Sequence, residues 1–107
     1  QRARTFLVRR VLNIKSVAQL RALLFDMETS LGLADLSHNE RDVLYAINEV
    51  AAGQPKAARS EAIRNHPLAA AIPQATYHRA LKSLVERGVI AHAPETKAGL
   101  YVVAVTE

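Results

Sequence analysis

The stretch "IPQATYHRALKSLVERGVIAH", residues 72 to 92, constrains the chain more than any other. A proline opens it, and apolar residues then recur at helical spacing among polar and basic ones. Glu86-Arg87-Gly88 stops the pattern and Val89-Ile90-Ala91 follows at once. Proline is tolerated in the first turn of a helix, and glycine suits the position just past its end. The spacing predicts a helix with Pro73 at its first position. Its inward set is Tyr77, Ala80, Leu81 and Leu84, and a strand begins at Val89.

A second run, Leu100 to Val105, pairs naturally with Val89 to Ala93 across "PETKAG", where Pro94 and Gly99 are turn residues. Upstream, Ser37 and Glu40 form a capping box for the helix "HNERDVLYAINEVAAG", which buries Val43, Leu44, Ile47 and Val50 and stops at Gly53. After the loop Gln54-Pro55-Lys56, Ala57-Ala58 suits a very short strand. Ser60 caps a brief helix "EAIRNH" closed by Pro67, and "PLAAAI" reads either as a turn of helix or as a connection.

The amino-terminal third reads as two helices. "ARTFLVRRVLN" places Phe6, Leu7, Val11 and Ile14 near one stripe. Ser16 with Gln19 then opens a stronger helix whose seam is Val17, Leu20, Leu24, Met27 and Leu31, widened by Leu23 and ended by Gly32. Two heptads are too few for an independent coiled coil, so the seam needs the domain itself or a second copy. The expected architecture is mainly α with a small β-hairpin. Residues 1–34 are amino-terminal helices for dimerisation and packing, and residues 35–107 form the functional domain.

Charge narrows the partner. The net charge is +4 over 107 residues. Residues 1 to 21 hold Arg2, Arg4, Arg9, Arg10, Lys15 and Arg21 with no acid, residues 22 to 49 hold six acids against Arg41, and residues 50 to 107 hold seven Lys/Arg against four Glu. Basic lobes around an acidic middle suit a polyanion, and equally a solvated surface. With no cysteine there are no disulfides and no thiolate chemistry. Neither a membrane span nor a signal peptide is visible. The chain opens at Gln1 rather than Met, compatible with a piece of a longer protein.

Catalysis finds no support. His38, His66, His78 and His92 show no metal-ligand spacing, and no phosphate-cradling glycine loop or nucleophile motif occurs. No metal or cofactor is expected.

From residue 36 to 105 the chain resembles a winged helix-turn-helix domain of bacterial transcriptional regulators, MarR-like ones included. The resemblance rests on "ATYHRALKSLVERGVIAH" as the recognition helix running into the wing, and on "LSHNERDVLYAI" as the first helix of the unit. It departs from the family in the longer connection "NHPLAAAI" and in having only Thr106-Glu107 after the second strand. That leaves the amino-terminal helices as the dimer surface. The resemblance implies a cytoplasmic, nucleoid-associated homodimer that binds double-stranded DNA, with Lys97 at the wing tip meeting the backbone or minor groove.

The residues support that reading without the name. A helix of this length fits its first turns into a major groove about 12 Å wide. Gln74, Ala75, His78, Arg79 and Lys82 project away from the inward set. Gln suits adenine, Arg suits guanine, and Lys82 is better placed for phosphate. Thr76 and Ser60, near helix starts, offer hydroxyls to phosphate. Arg59 and Arg64 flank the short helix and suit either phosphate or surface. The alternative is a winged-helix adaptor that binds only protein, since fold does not fix function. Operator, regulated genes and any effector are not legible.

Overall fold

The computed structural model describes residues 2–52, 57–93 and 99–103, with residues 2–12 as backbone alone. The elements are α1 (Arg2–Ser30), α2 (His38–Ala52), β1 (Ala58–Arg59), α3 (Ser60–Asn65), α4 (Pro67–Ala70), α5 (Gln74–Glu86), β2 (Ile90–His92) and β3 (Leu100–Val103). The chain is mainly helical with one small antiparallel sheet, and it divides into two compact units, Gln1–Asp35 and Leu36–Glu107.

The first unit corrects one expectation. Residues 2 to 30 form a single helix of 29 residues, about 43 Å long, not two. Ser16 lies inside it and caps nothing. No proline or glycine occurs before Gly32, so nothing upstream stops the helix, and an interior serine costs well under about 1 kcal/mol. The helix ends where Gly32 predicts. Gly32 N–H donates to the Thr29 carbonyl at 3.1 Å, Leu33 N–H donates to the Glu28 carbonyl at 2.8 Å, and Gly32 takes φ 77°.

The second unit is built around α2, which contacts α3, α4, α5, β1 and β3. Its start is the capping box read from the sequence: Ser37 N–H donates to Glu40 Oε1 at 2.6 Å and Glu40 N–H donates to Ser37 Oγ at 3.1 Å. Val43, Leu44 and Ile47 are buried and Val50 is half-buried; Gly53 lies outside the described residues. The core adds Ile63, Ala69, Ile72 and Ile90, together with Tyr77, Ala80, Leu81 and Leu84 from α5.

Helix α5 starts one residue later than the sequence suggests. Pro73, at φ −57° and ψ 145°, occupies the cap, and Gln74 is the first helical residue. The fixed φ of proline serves either position, and only ψ decides between them. Its exit repeats the device that ends α1. Gly88 N–H donates to the Val85 carbonyl at 3.0 Å, Val89 N–H donates to the Leu84 carbonyl at 3.0 Å, and Gly88 takes φ 76°. The chain leaves in a fixed direction, straight into β2.

The sheet has three strands: the expected antiparallel pair, β2 and β3, and the short strand β1. Its order is β1-β3-β2 with β3 in the middle, pairing Ala58 with Tyr101 and Ile90 with Val103. The short strand falls at Ala58–Arg59, one residue later than read, because Ser60 N–H donates to the Gly99 carbonyl at 2.7 Å and fixes the register. "PLAAAI" resolves as one turn of helix, α4, whose Leu68 N–H is capped by His66 Nδ1.

Candidate nucleic-acid interface

Among the residues picked from the sequence, one group comes together. Gln74, Ala75, His78, Arg79 and Lys82 are all exposed on α5, and Thr76 is half-buried between them and the domain. They share a face because Tyr77, Ala80, Leu81 and Leu84 are locked on the opposite one, none more than 5% exposed. Tyr77 is thus a core residue, not a platform for bases. Burial raises its phenol above its usual value, against the Ser60 hydrogen bond that lowers it.

The start of α5 is open. Pro73 offers no side-chain cap, no acid lies in the first turn, and the first intrahelical donor in the ladder is Tyr77 N–H, to the Pro73 carbonyl at 2.8 Å. The preceding N–H groups point outward with the positive end of the helix dipole behind them, an arrangement that attracts anions. Arg79 Nη2 donates to Thr76 Oγ1 at 3.2 Å, so one exposed hydrogen bond rests the guanidinium along the first turn. Its remaining donors stay available.

Not every cation near the face is free. Arg87 Nε donates to Ser83 Oγ at 3.3 Å and lies 3.5 Å from Glu40 Oε2. Ser83 Oγ also donates to Glu40 Oε2. Burial pushes the Glu40 carboxyl up, but the bonds from Ser83 and Ser37 and the charge of Arg87 outweigh it and hold it below its ordinary value. One carboxylate thus caps α2 and ties α5 to it. Arg64 is likewise engaged: Nη1 donates to the Ala69 carbonyl at 2.8 Å, and the guanidinium lies 5.1 Å from the centre of the Tyr77 ring.

Ser60 needs correction as a helix cap. It is the first residue of α3, Arg59 holds the cap position, and no side chain caps that helix. Its hydroxyl lies 3.1 Å from the Tyr77 hydroxyl, which also reaches the Ser60 carbonyl at 3.2 Å. A partner 17 residues away outcompetes the local backbone because Tyr77 is buried and its hydroxyl must be satisfied. Ser60 stays half-buried beside Glu61, Arg64, Gln74 and His78 around one surface groove. Lys97 lies outside the described residues.

Sequence reasoning missed two residues that border this surface. His92 on β2 and Tyr101 on β3 stack at 5.0 Å between ring centres and face His78 and Lys82 across a groove of about 380 Å³. Only strand pairing brings them there, so no local pattern announces them.

The seam of α1 is exposed in the single chain: Val17 61%, Leu20 64%, Leu24 37%, Met27 53% and Leu31 41%. Ile14, Leu23 and Phe25 are exposed as well. Among the described residues no helix is long and apolar enough to cross a membrane, and no group of three His, Cys, Asp or Glu side chains is placed to hold a metal ion. No protein-family model, curated protein or solved structure matches the chain.

Proposed function

We propose that this chain is a winged helix-turn-helix transcriptional regulator that binds double-stranded DNA in a sequence-specific manner. Helix α5 enters the major groove, and the β2–β3 connection meets the backbone or minor groove. The observation that carries the reading is the outward face of α5: Gln74, His78, Arg79 and Lys82 exposed together at an uncapped, acid-free helix start. Gln and Arg supply the donor pairs that distinguish adenine and guanine edges, while Lys82 and the open N–H groups supply phosphate attraction. The order α2, β1, α3, α4, α5, β2, β3, with β1 paired to β3, supports the winged arrangement. The exposed seam of α1 supports assembly of two copies, and dimeric proteins of this class read two half-sites about 34 Å apart.

Binding to a random-sequence duplex library at two salt concentrations tests this. A recovered motif together with a negative salt slope is the expected result. A library that returns neither, with folded protein, rejects the proposal. The protein-adaptor reading then takes its place, and the exposed apolar residues of α1 mark where to look for its partner.

A further inference from the structure

The four histidines fall into two kinds. His38 Nε2 lies 3.0 Å from Asp42, one turn further along α2, and His66 Nδ1 accepts the Leu68 N–H at 3.1 Å. Each has a local duty at a helix start. His78 and His92 have no such duty, are exposed, and line the same groove between α5 and the sheet.

The floor of that groove is apolar, from Leu81 and Val85, and among the described residues its charged lining is one Lys against one Glu, Lys82 and Glu86. The remaining titratable group is the Tyr101 phenol on β3, which stacks on His92 and offers a hydroxyl. On its other side His78 borders Glu61 and Arg64, again one acid against one base, and its ring meets Tyr77 at 5.3 Å. With both imidazoles neutral the described lining therefore sums to zero. With both protonated it carries two positive charges within one small cleft.

We infer that this groove is a proton-sensitive seat for a backbone phosphate of the bound DNA strand, held between His78, His92 and Lys82. The inference rests on the DNA-binding reading and adds His92 and Tyr101 to its surface. Histidine is the side chain that ordinarily changes charge between about pH 5 and 8, and a phosphate favours the charged form. DNA binding therefore takes up protons and tightens as pH falls. Preferential contact of the phosphate with the charged rings raises affinity about tenfold per histidine between the neutral and charged limits. Neutralising that one phosphate more fully also steepens the dependence of log K on log salt, by about 1 at most.

The test is anisotropy of a labelled mixed-sequence duplex with the full chain at about pH 5.8 and pH 7.8, each at two salt concentrations. Wild-type protein should bind tighter and with a steeper salt slope at the lower pH. H78Q/H92Q should bind with nearly the same affinity and slope at both. H78Q alone, at an exposed helix position, should keep about half the response in log affinity, and an unchanged melting temperature certifies its fold. H38Q/H66Q should retain the full wild-type response. If H78Q/H92Q responds to pH as wild-type does, or if wild-type shows no response, the inference is overturned while DNA binding stands. If no duplex binds at either pH, the DNA-binding reading falls and this inference falls with it.

Discussion

Helix α1 and helix α5 both carry several large apolar residues, and the two meet opposite fates. On α5 they occupy one face and are closed off: Leu84 is 0% exposed and Tyr77 1%. On α1 they spread from Ile14 through Phe25 to Leu31, and none of those three is less than 41% exposed. An apolar set confined to one stripe can be covered by a single contact inside a small domain. A set spread around a long helix cannot, and its residues stay exposed in the single chain. The difference separates a helix whose apolar face is covered within its own unit from one whose apolar residues are not.

The first way to break this contrast is by truncation. Leu84→Ala, at a fully buried site, should cost about 2 to 5 kcal/mol in denaturant unfolding. Leu20→Ala, measured in dilute monomeric protein, should fall within about 0.5 kcal/mol of wild type, because little area is removed from water there. Equal costs would show that α1 is covered in solution even at high dilution. Assembly sharpens the point. Leu24→Asp should leave a folded protein that sediments as a monomer and binds an operator about a hundredfold more weakly, since two linked half-sites become one. Wild-type protein already monomeric at tens of micromolar contradicts this.

Glu40 tests what holds α5 in place. Glu40→Gln should cost about 1 to 3 kcal/mol, because a buried acceptor of several hydrogen bonds is weakened and Arg87 loses its counter-charge. The sign of its pH dependence follows from the lowered carboxyl. The stabilisation is present above the ordinary value of 4.5 and is lost as pH falls through the lower folded value. Acid titration of melting temperature should therefore show a drop below about pH 4.5 that Glu40→Gln flattens. The smallest effect expected on stability, and a specific one on recognition, belongs to Arg79→Ala. Its melting temperature should be unchanged, while affinity for the preferred site falls by about 1 to 3 kcal/mol and selectivity relaxes at one base pair. An unchanged motif and affinity would remove α5 from the reading role.

What the sequence reveals here follows the range of the interactions. The Ser37–Glu40 box and the glycine exits at Gly32 and Gly88 join residues at most five positions apart, so spacing alone finds them. The inward set of α5 shows through its 3.6-residue period. Ser16-Gln19 imitates the box without being one, because a cap works only where the helix before it ends, and no breaker precedes Ser16. The ties from Ser60 to Tyr77 and from Glu40 to Ser83 cross 17 and 43 residues and have no local signature. The groove shared by His78 and His92 is illegible for the same reason: the fold joins them, and no motif does.

The position of β3 has a consequence for how this domain comes into being. It is the third strand in chain order yet the middle strand in space, and it supplies the pairing partner of both β1 and β2. During synthesis, α2 and α5 can wind as soon as they emerge, since their bonds are local. The sheet has nothing to form on until residues 100 to 103 have left the ribosome. Helices forming early and one late, long-range closure make a slow final step. A nascent chain stalled before Leu100 would present two unpaired strand edges and a half-open core to the chaperones around it.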